Sequence, residues 1–447
     1  MLSMRILKSY VNNFFVKLKA SPFVKNVLIV MSGTVVVQAI NFAFAPFLSR
    51  LYSPSDFGIY GSFNAVSLII TAGVTLGYDQ ALILPKEKKD AVNLFILSCI
   101  STIMISGCCL AVFLLIPKFV NALVSNSNAW ILALLIAEGL FGGLYLTCQA
   151  WCVRLKAFKE TSTSQVICSM SSNGTQIVFG CFKKGSIGLI IGTVLADIVA
   201  SFNLIPVVLR DLAAFRRHVR WDRMKQLAKD YRDFPVYFAF MNVINSLSRG
   251  LPVLLLMHFY GIAIAGAYAF GMRILSAPMG LVLRALRQVL LQKASEKQNL
   301  GGRLLPLYLK ITTGLFALII FPALILFIWA PRIFTWIFGP QWHTAGEFAR
   351  WLIPWLIFMF CNLPSVLFAR VIRIQRKMFF LEMVLLAARI LVLVIGGMYI
   401  SALHTVMLFS MVSAIMNIIF IVIVGYTIMK KEGSVTWQDI QNNMMER

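Results

Sequence analysis

Acidic residues are scarce in this sequence: 17 Asp and Glu in 447 residues, set against 41 Lys and Arg. Charged residues of both signs make up only 13% of the chain, about half of what a soluble domain carries, while 59% is hydrophobic and the mean hydropathy is +0.82. A water-soluble globule is excluded. The apolar runs lack the period-2 alternation of barrel strands, so in lipid, where every backbone amide needs an internal partner, only helices remain. No Walker A loop occurs, which excludes ATP hydrolysis by a P-loop on this chain. The four histidines (His218, His258, His343, His404) are scattered with no metal-ligand spacing, and no nucleophile, base and orienter can be assembled. The expectation is a non-enzyme with no catalytic or metal-binding residues. Its eight cysteines all lie in or at the ends of apolar segments and read as buried thiols. The basic start has no uninterrupted apolar core before Ser21, which argues against a cleaved leader.

What is present is a series of long apolar runs. A helix crossing roughly 30 Å of hydrocarbon needs about 20 apolar residues. Twelve such spans are expected, at 24–48, 58–84, 92–116, 129–151, 161–181, 186–209, 235–258, 263–286, 306–330, 348–370, 378–399 and 405–428. The net charge of +24 does not gather on one soluble face, which excludes nucleic acid as the partner. Instead, 30 of the cations lie on one alternate set of connections, 6 on the other, and five within or at the edge of spans. By the positive-inside rule both termini are cytoplasmic. The expected organisation is a cytoplasmic arm (1–23), a six-helix bundle (24–209), a basic amphipathic linker (210–233), a second six-helix bundle (235–428) and a cytoplasmic tail (429–447). The linker, with eight cations among Phe215, Val219, Met224, Leu227 and Tyr231, reads as a surface helix on anionic headgroups.

The halves carry a similar pattern: Pro46, Gly58 and Tyr60 in the first recur as Pro252, Gly266 and Tyr268 in the second. Repeated halves are typical of transporters, whose substrate site lies between the bundles.

Charges inside spans cost roughly 3 kcal/mol each on insertion scales, so several of them imply a polar interior or mutual pairing. Arg273 and Arg284 project to one face of the eighth span; Asn242, Asn245, Ser246 and Arg249 share a face of the seventh; Glu382 and Arg389 share one on the eleventh. These arginines suit an anionic group such as a pyrophosphate, because the guanidinium fork binds phosphate oxygens in pairs. Arg284 also lies close enough to the cytoplasmic end to snorkel into the interface. On the fifth span Gln165, Ser169, Ser172, Asn173 and Gln176 form a neutral polar stripe suited to sugar hydroxyls or to interhelical hydrogen bonding. Asp79, Glu138 and Asp197 are acids within spans of the first half. They are candidates for coupling to a proton or sodium gradient, or counter-ions to the arginines; the sequence does not choose.

Several runs carry a family likeness: PFLSRLYSPSDFGIYGSF (46–63), GYDQALILPKEKKDA (77–91), RLKAFKE (154–160), GSIGLIIG (185–192), YRDFPVYFAFMNVINSLSRGLPVLLLMHFYG (231–261) and FGPQWHTAG (338–346). Together they resemble the bacterial polysaccharide and O-antigen flippases of the multidrug, oligosaccharidyl-lipid and polysaccharide exporter superfamily. The resemblance implies an all-α, two-bundle, V-shaped transporter working by alternating access in the bacterial inner membrane. It implies as substrate an undecaprenyl-pyrophosphate-linked oligosaccharide, a repeat unit of O-antigen, capsule or exopolysaccharide, turned from the cytoplasmic to the periplasmic leaflet. Membrane lipids, and the polymerase and chain-length machinery, are the implied partners. Two other readings stand beside it. A drug or cation antiporter of the toxin-extrusion branch predicts an acidic cavity. A polysaccharide polymerase or ligase predicts a long outward loop, and none is found here.

Overall fold

A computed structural model describes residues 22–115, 129–213, 218–299, 302–372 and 374–445. Every long element among them is a helix. We number them α1 (Pro22–Leu51), α2 (Pro54–Val74), α3 (Lys88–Leu115), α4 (Ala129–Arg154), α5 (Phe158–Cys181), α6 (Ser186–Ala213), α7 (Trp221–Asp230), α8 (Phe240–Tyr260), α9 (Ile262–Asn299), α10 (Leu305–Phe338), α11 (His343–Cys361), α12 (Leu363–Val371), α13 (Gln375–Tyr399) and α14 (Ala402–Met445). A one-turn helix, Tyr78–Ala81, follows α2, and a π-helical turn, Phe234–Ala239, leads into α8. Prolines interrupt the donor ladder inside α1, α6, α8, α9, α10 and α11. Neighbouring helices and local adjustments make such interruptions tolerable in a membrane.

Eleven of the helical segments among the described residues are long and apolar enough to cross a bilayer. The expected fifth span forms as α5, a helix of 24 residues, but its run of Ser, Thr, Gln and Asn leaves it too polar to meet the same criterion. It is held instead by flanking helices, packing on α1 and α6. Elsewhere the outer surface is apolar: Phe321 is 71% and Trp336 83% exposed on α10, and Leu391 on α13 is 59% exposed. In water such a surface would aggregate; in acyl chains it is solvated.

The chain divides into two compact units. One comprises residues up to Tyr52 and Ser62–Gly250; the other comprises Ser53–Gly61 and residues from Leu251 onward. The first turns of α2 thus belong with the second unit, and α8 begins in the first unit and ends in the second.

In the first unit Phe95, Trp151, Leu204 and Val208 form a core between α3, α4 and α6, with Cys148 and Cys152 filling the gaps. The basic linker supplies α7, which buries Met224 and Leu227 and lies along α3. Arg223 clamps it there by two hydrogen bonds to Asp90, 2.8 and 2.7 Å, and Lys88 pairs with Asp211 at 3.1 Å. Trp221, 56% exposed, carries the Lys225 ammonium 5.9 Å from its ring centre.

In the second unit the core is aromatic: the Phe270 ring lies 4.0 Å from that of Trp342 and 5.0 Å from those of Phe57 and Phe338. The repeated glycines meet here. A Cβ on Gly266 would fall 1.8 Å from the Pro54 carbonyl oxygen and 2.6 Å from the Gly58 nitrogen, so α2 and α9 cross backbone to backbone.

Candidate functional site

Polar chemistry is distributed differently in the two units. In the first, α4 and α6 pack together and bring Glu138 near Asp197. Gly142 allows the approach, since a Cβ there would stand 3.2 Å from Asp197 Oδ2 and 3.1 Å from Thr71. Glu138 is 6% exposed, and its Oε2 has no hydrogen-bond partner. The Cys168 thiol lies 3.7 Å from Asp197 Oδ1.

Asp79, the third acid, is placed elsewhere. It sits in the turn after Gly77, which adopts a left-handed φ of 74°, and accepts hydrogen bonds from Thr75 Oγ1 at 2.7 Å and Gln80 Nε2 at 2.8 Å. The Arg154 guanidinium binds the same connection, donating to the carbonyls of Leu82, Ile83 and Pro85.

The stripe on α5 is largely enclosed. Asn173 is 1% and Gln176 0% exposed, while Gln165 is half-buried. Asn173 Nδ2 and Ser169 Oγ both donate to Asn41 Oδ1 on α1, at 2.7 and 2.9 Å, and Gln176 Nε2 donates to the Leu189 carbonyl on α6 at 3.1 Å. These contacts join α5 to both neighbours. Asn173 Oδ1 and Gln176 Oε1 are left buried without partners. Asn41 is the residue the sequence reading missed; with Gln38 it is one of two amides in an apolar run, and that is its one sequence signal.

On α8, Asn242 and Asn245 are half-buried and Arg249 is exposed, making no hydrogen bond or ion pair within the described residues. In the second unit Arg273 on α9 is half-buried with a fully enclosed Nη1 that lacks a partner. The side chain of Arg284 lies outside the described residues.

Arg389 is half-buried against aromatic rings. Its Nε donates to Ser413 Oγ at 2.9 Å, and its guanidinium carbon lies 4.9 Å from the Trp355 ring centre and 5.4 Å from that of Phe409. Glu382 and Tyr268 also act on it electrostatically. Below it, Asn362 Nδ2 donates to Asn417 Oδ1 at 2.9 Å and Asn417 Nδ2 to the Ser413 carbonyl at 2.7 Å. Its partners Trp355, Phe409 and Ser413 come from other helices, and the spacing around Arg389 gives no hint of them.

Comparison with known proteins follows the same lines. A family model described as "Polysaccharide biosynthesis protein" matches residues 47–347. No curated protein matches the chain. Among solved structures, a lipid II flippase, MurJ, in an inward closed conformation superposes with a TM-score of 0.71 at 13% identity, over 92% of this chain and 93% of its own. An inward-facing multidrug resistance MATE family transporter of the MOP superfamily gives 0.66 at 13% identity, over 90% of this chain and 98% of its own. A MOP superfamily transporter from Pyrococcus furiosus, described as having reversed polarity of its binding pocket, gives 0.58 at 12% identity, over 94% and 98%. At these identities the likeness is one of fold: an all-helical membrane transporter fold of that superfamily.

Proposed function

Because this chain belongs to the polysaccharide biosynthesis protein family, we propose that it is a flippase. Its substrate is an undecaprenyl-pyrophosphate-linked oligosaccharide, carried from the cytoplasmic to the outer leaflet of a bacterial inner membrane by alternating access. Both termini are cytoplasmic in this reading, in line with the cation asymmetry of the connections. The observation that carries the proposal is the state of two guanidinium groups in membrane-spanning helices: Arg249 unpaired, and Arg273 with an enclosed nitrogen that nothing satisfies. A cation left this way within a membrane protein costs free energy unless an anion completes it, and a pyrophosphate supplies oxygens in the geometry a guanidinium fork prefers. Asn242 and Asn245, on the same helix face as Arg249, would orient the first sugars. The same fold in a structure described as a lipid II flippase supports a lipid-linked cargo. A drug-exporting antiporter of the same fold fits less well, because these unpaired groups are cationic.

Arg249→Ala and Arg273→Ala, expressed to normal levels, should each abolish surface polysaccharide and leave lipid-linked repeat units on the cytoplasmic leaflet. Lysine at either place should restore part of the activity, since it keeps the charge and loses the fork. Normal surface polysaccharide in both the alanine and the lysine variants rules the cationic site out.

A further inference from the structure

The helix α7 lies in the short connection between two segments long and apolar enough to cross a bilayer, Ser186–Ala213 and Phe234–Tyr260. Its neighbour α3 begins another such segment at Lys88, and Arg223 fixes α7 to that end through Asp90. Asn93, one turn further along α3, holds the approach to α7: its Oδ1 accepts from the Arg220 backbone and its Nδ2 donates to the His218 carbonyl, both at 3.1 Å. These ties place α7 where a bilayer has its headgroups. At about 100° per residue, every fourth position of a helix falls on one slanting stripe. Met224 and Leu227 are buried, Leu227 in a cluster with Tyr78, Ala81 and Leu94. The apolar face that the sequence assigns to the headgroups is thus spent on the protein, and other faces point outward. Asp222, Gln226 and Asp230 make one exposed stripe, which is acidic; Trp221, Lys225 and Lys229 make the next, which is basic and is extended by Arg232. Lys225, Lys229 and Arg232 make no ion pair among the described residues. A surface helix with acid on one stripe and base on another has a defined way up beside a bilayer, with base toward phosphates and acid toward water. Tryptophan is also a residue that settles at the interface.

We propose that the stripe of Trp221, Lys225 and Lys229 is a binding site for the headgroup of an anionic phospholipid in the leaflet beside α7, the cytoplasmic one in the orientation proposed above. The two ammonium groups take the phosphate, and Trp221 lies at the glycerol level with its exposed ring against the lipid. A zwitterionic lipid fits less well, because its own cation meets the lysines. Each cation near an anionic surface contributes roughly fivefold to binding. A lipid held here also steadies what α7 packs on. Leu227 shares its cluster with the turn at Tyr78 and Ala81, and a Cβ on Gly77 in that turn would stand 3.1 Å from Phe238 in the π-helical entry to α8. The site stands whether or not the chain is a flippase.

Native mass spectrometry of the full chain in a neutral detergent, titrated with phosphatidylglycerol or phosphatidylcholine, counts the lipids that stay bound and requires no transport. The wild type should hold phosphatidylglycerol in preference to phosphatidylcholine. Lys225→Gln with Lys229→Gln should weaken the tightest phosphatidylglycerol by roughly 25-fold, two cations at fivefold each. Lys225→Arg with Lys229→Arg should keep it, and Asp222→Asn with Asp230→Asn should keep or strengthen it. All three pairs should melt with the wild type in phosphatidylcholine alone, because the exchanged side chains are exposed. Equal retention of the two lipids by the wild type overturns the proposal, as does unchanged phosphatidylglycerol affinity in the glutamine pair. Displacement of the lipid by millimolar inorganic phosphate at constant ionic strength also overturns it, since the site would then be one for free phosphate.

Discussion

The two units bury ionisable groups in opposite ways. In the first, Glu138 and Asp197 lie near each other beside the Cys168 thiol, with no Lys or Arg acting on them among the described residues. In the second, Arg389 is covered by Trp355 and Phe409 and tied to Ser413, so its charge is spread over ring faces and one hydroxyl. A carboxyl can shed its charge by taking up a proton, whereas a guanidinium cannot lose its own. The first arrangement is therefore suited to change state, and the second to fix α11, α13 and α14 in place. Between these extremes, Arg249 is exposed without a partner and Arg273 keeps an enclosed nitrogen that nothing satisfies, the condition expected of groups that await an anion.

The largest effect expected from disturbing this arrangement is at the helix crossing of the second unit. Gly266→Val would drive a side chain into the Pro54 carbonyl. Overpacking against backbone should cost about 3 kcal/mol or more, seen as a large drop in thermal stability in detergent. Gly174→Ala, where nothing lies within 4 Å, should hold stability or raise it by a few tenths of a kcal/mol to about 1. Next comes Arg389. Arg389→Ala should lower stability by about 2 to 4 kcal/mol, through the cavity left and the lost ring and hydroxyl contacts. Arg389→Met keeps most of the volume and relieves a buried charge, so it should stay within about 1 kcal/mol of wild type and keep flipping. A stable Arg389→Met protein that no longer flips would move Arg389 from the scaffold to the substrate. The smallest effect is expected on the α5 stripe: Gln176→Leu or Asn173→Leu should cost about 0.6 to 2 kcal/mol, the range of interhelical hydrogen bonds in membranes, without changing which saccharide is carried. Altered cargo selection in these variants would assign the stripe to sugar binding.

The fold was largely legible because hydropathy is written into every span: a helix forms over each apolar run, although α9, α10 and α14 continue well past the expected ends and α2 stops short of its own. The exceptions have physical causes. α5 forms where the fifth span was expected, yet it is more polar than the other spans and is held by Asn41 and the Leu189 carbonyl. The π-helical turn at Phe234–Ala239 and the one-turn helix at Tyr78–Ala81 arise from the proline at 235 and the left-handed Gly77, where the helix register breaks inside an apolar run. Interior charges could be picked out one by one in the sequence, but not their partners. Glu138 and Asp197 are 59 positions apart with no shared periodicity, and Arg389's rings come from two other helices. The likeness between the halves was visible as Gly58 and Gly266, but that these glycines touch each other was not.

The most direct test of the cationic site is flipping by the purified chain. Proteoliposomes containing an undecaprenyl-pyrophosphate-linked oligosaccharide, with leaflet position read by an externally added saccharide-modifying enzyme, would compare the wild type with an Arg249→Ala, Arg273→Ala double variant of equal fold and content. The account predicts rapid exposure of the lumenal pool by the wild type and none above empty vesicles by the double variant. Equal exposure by both would contradict it.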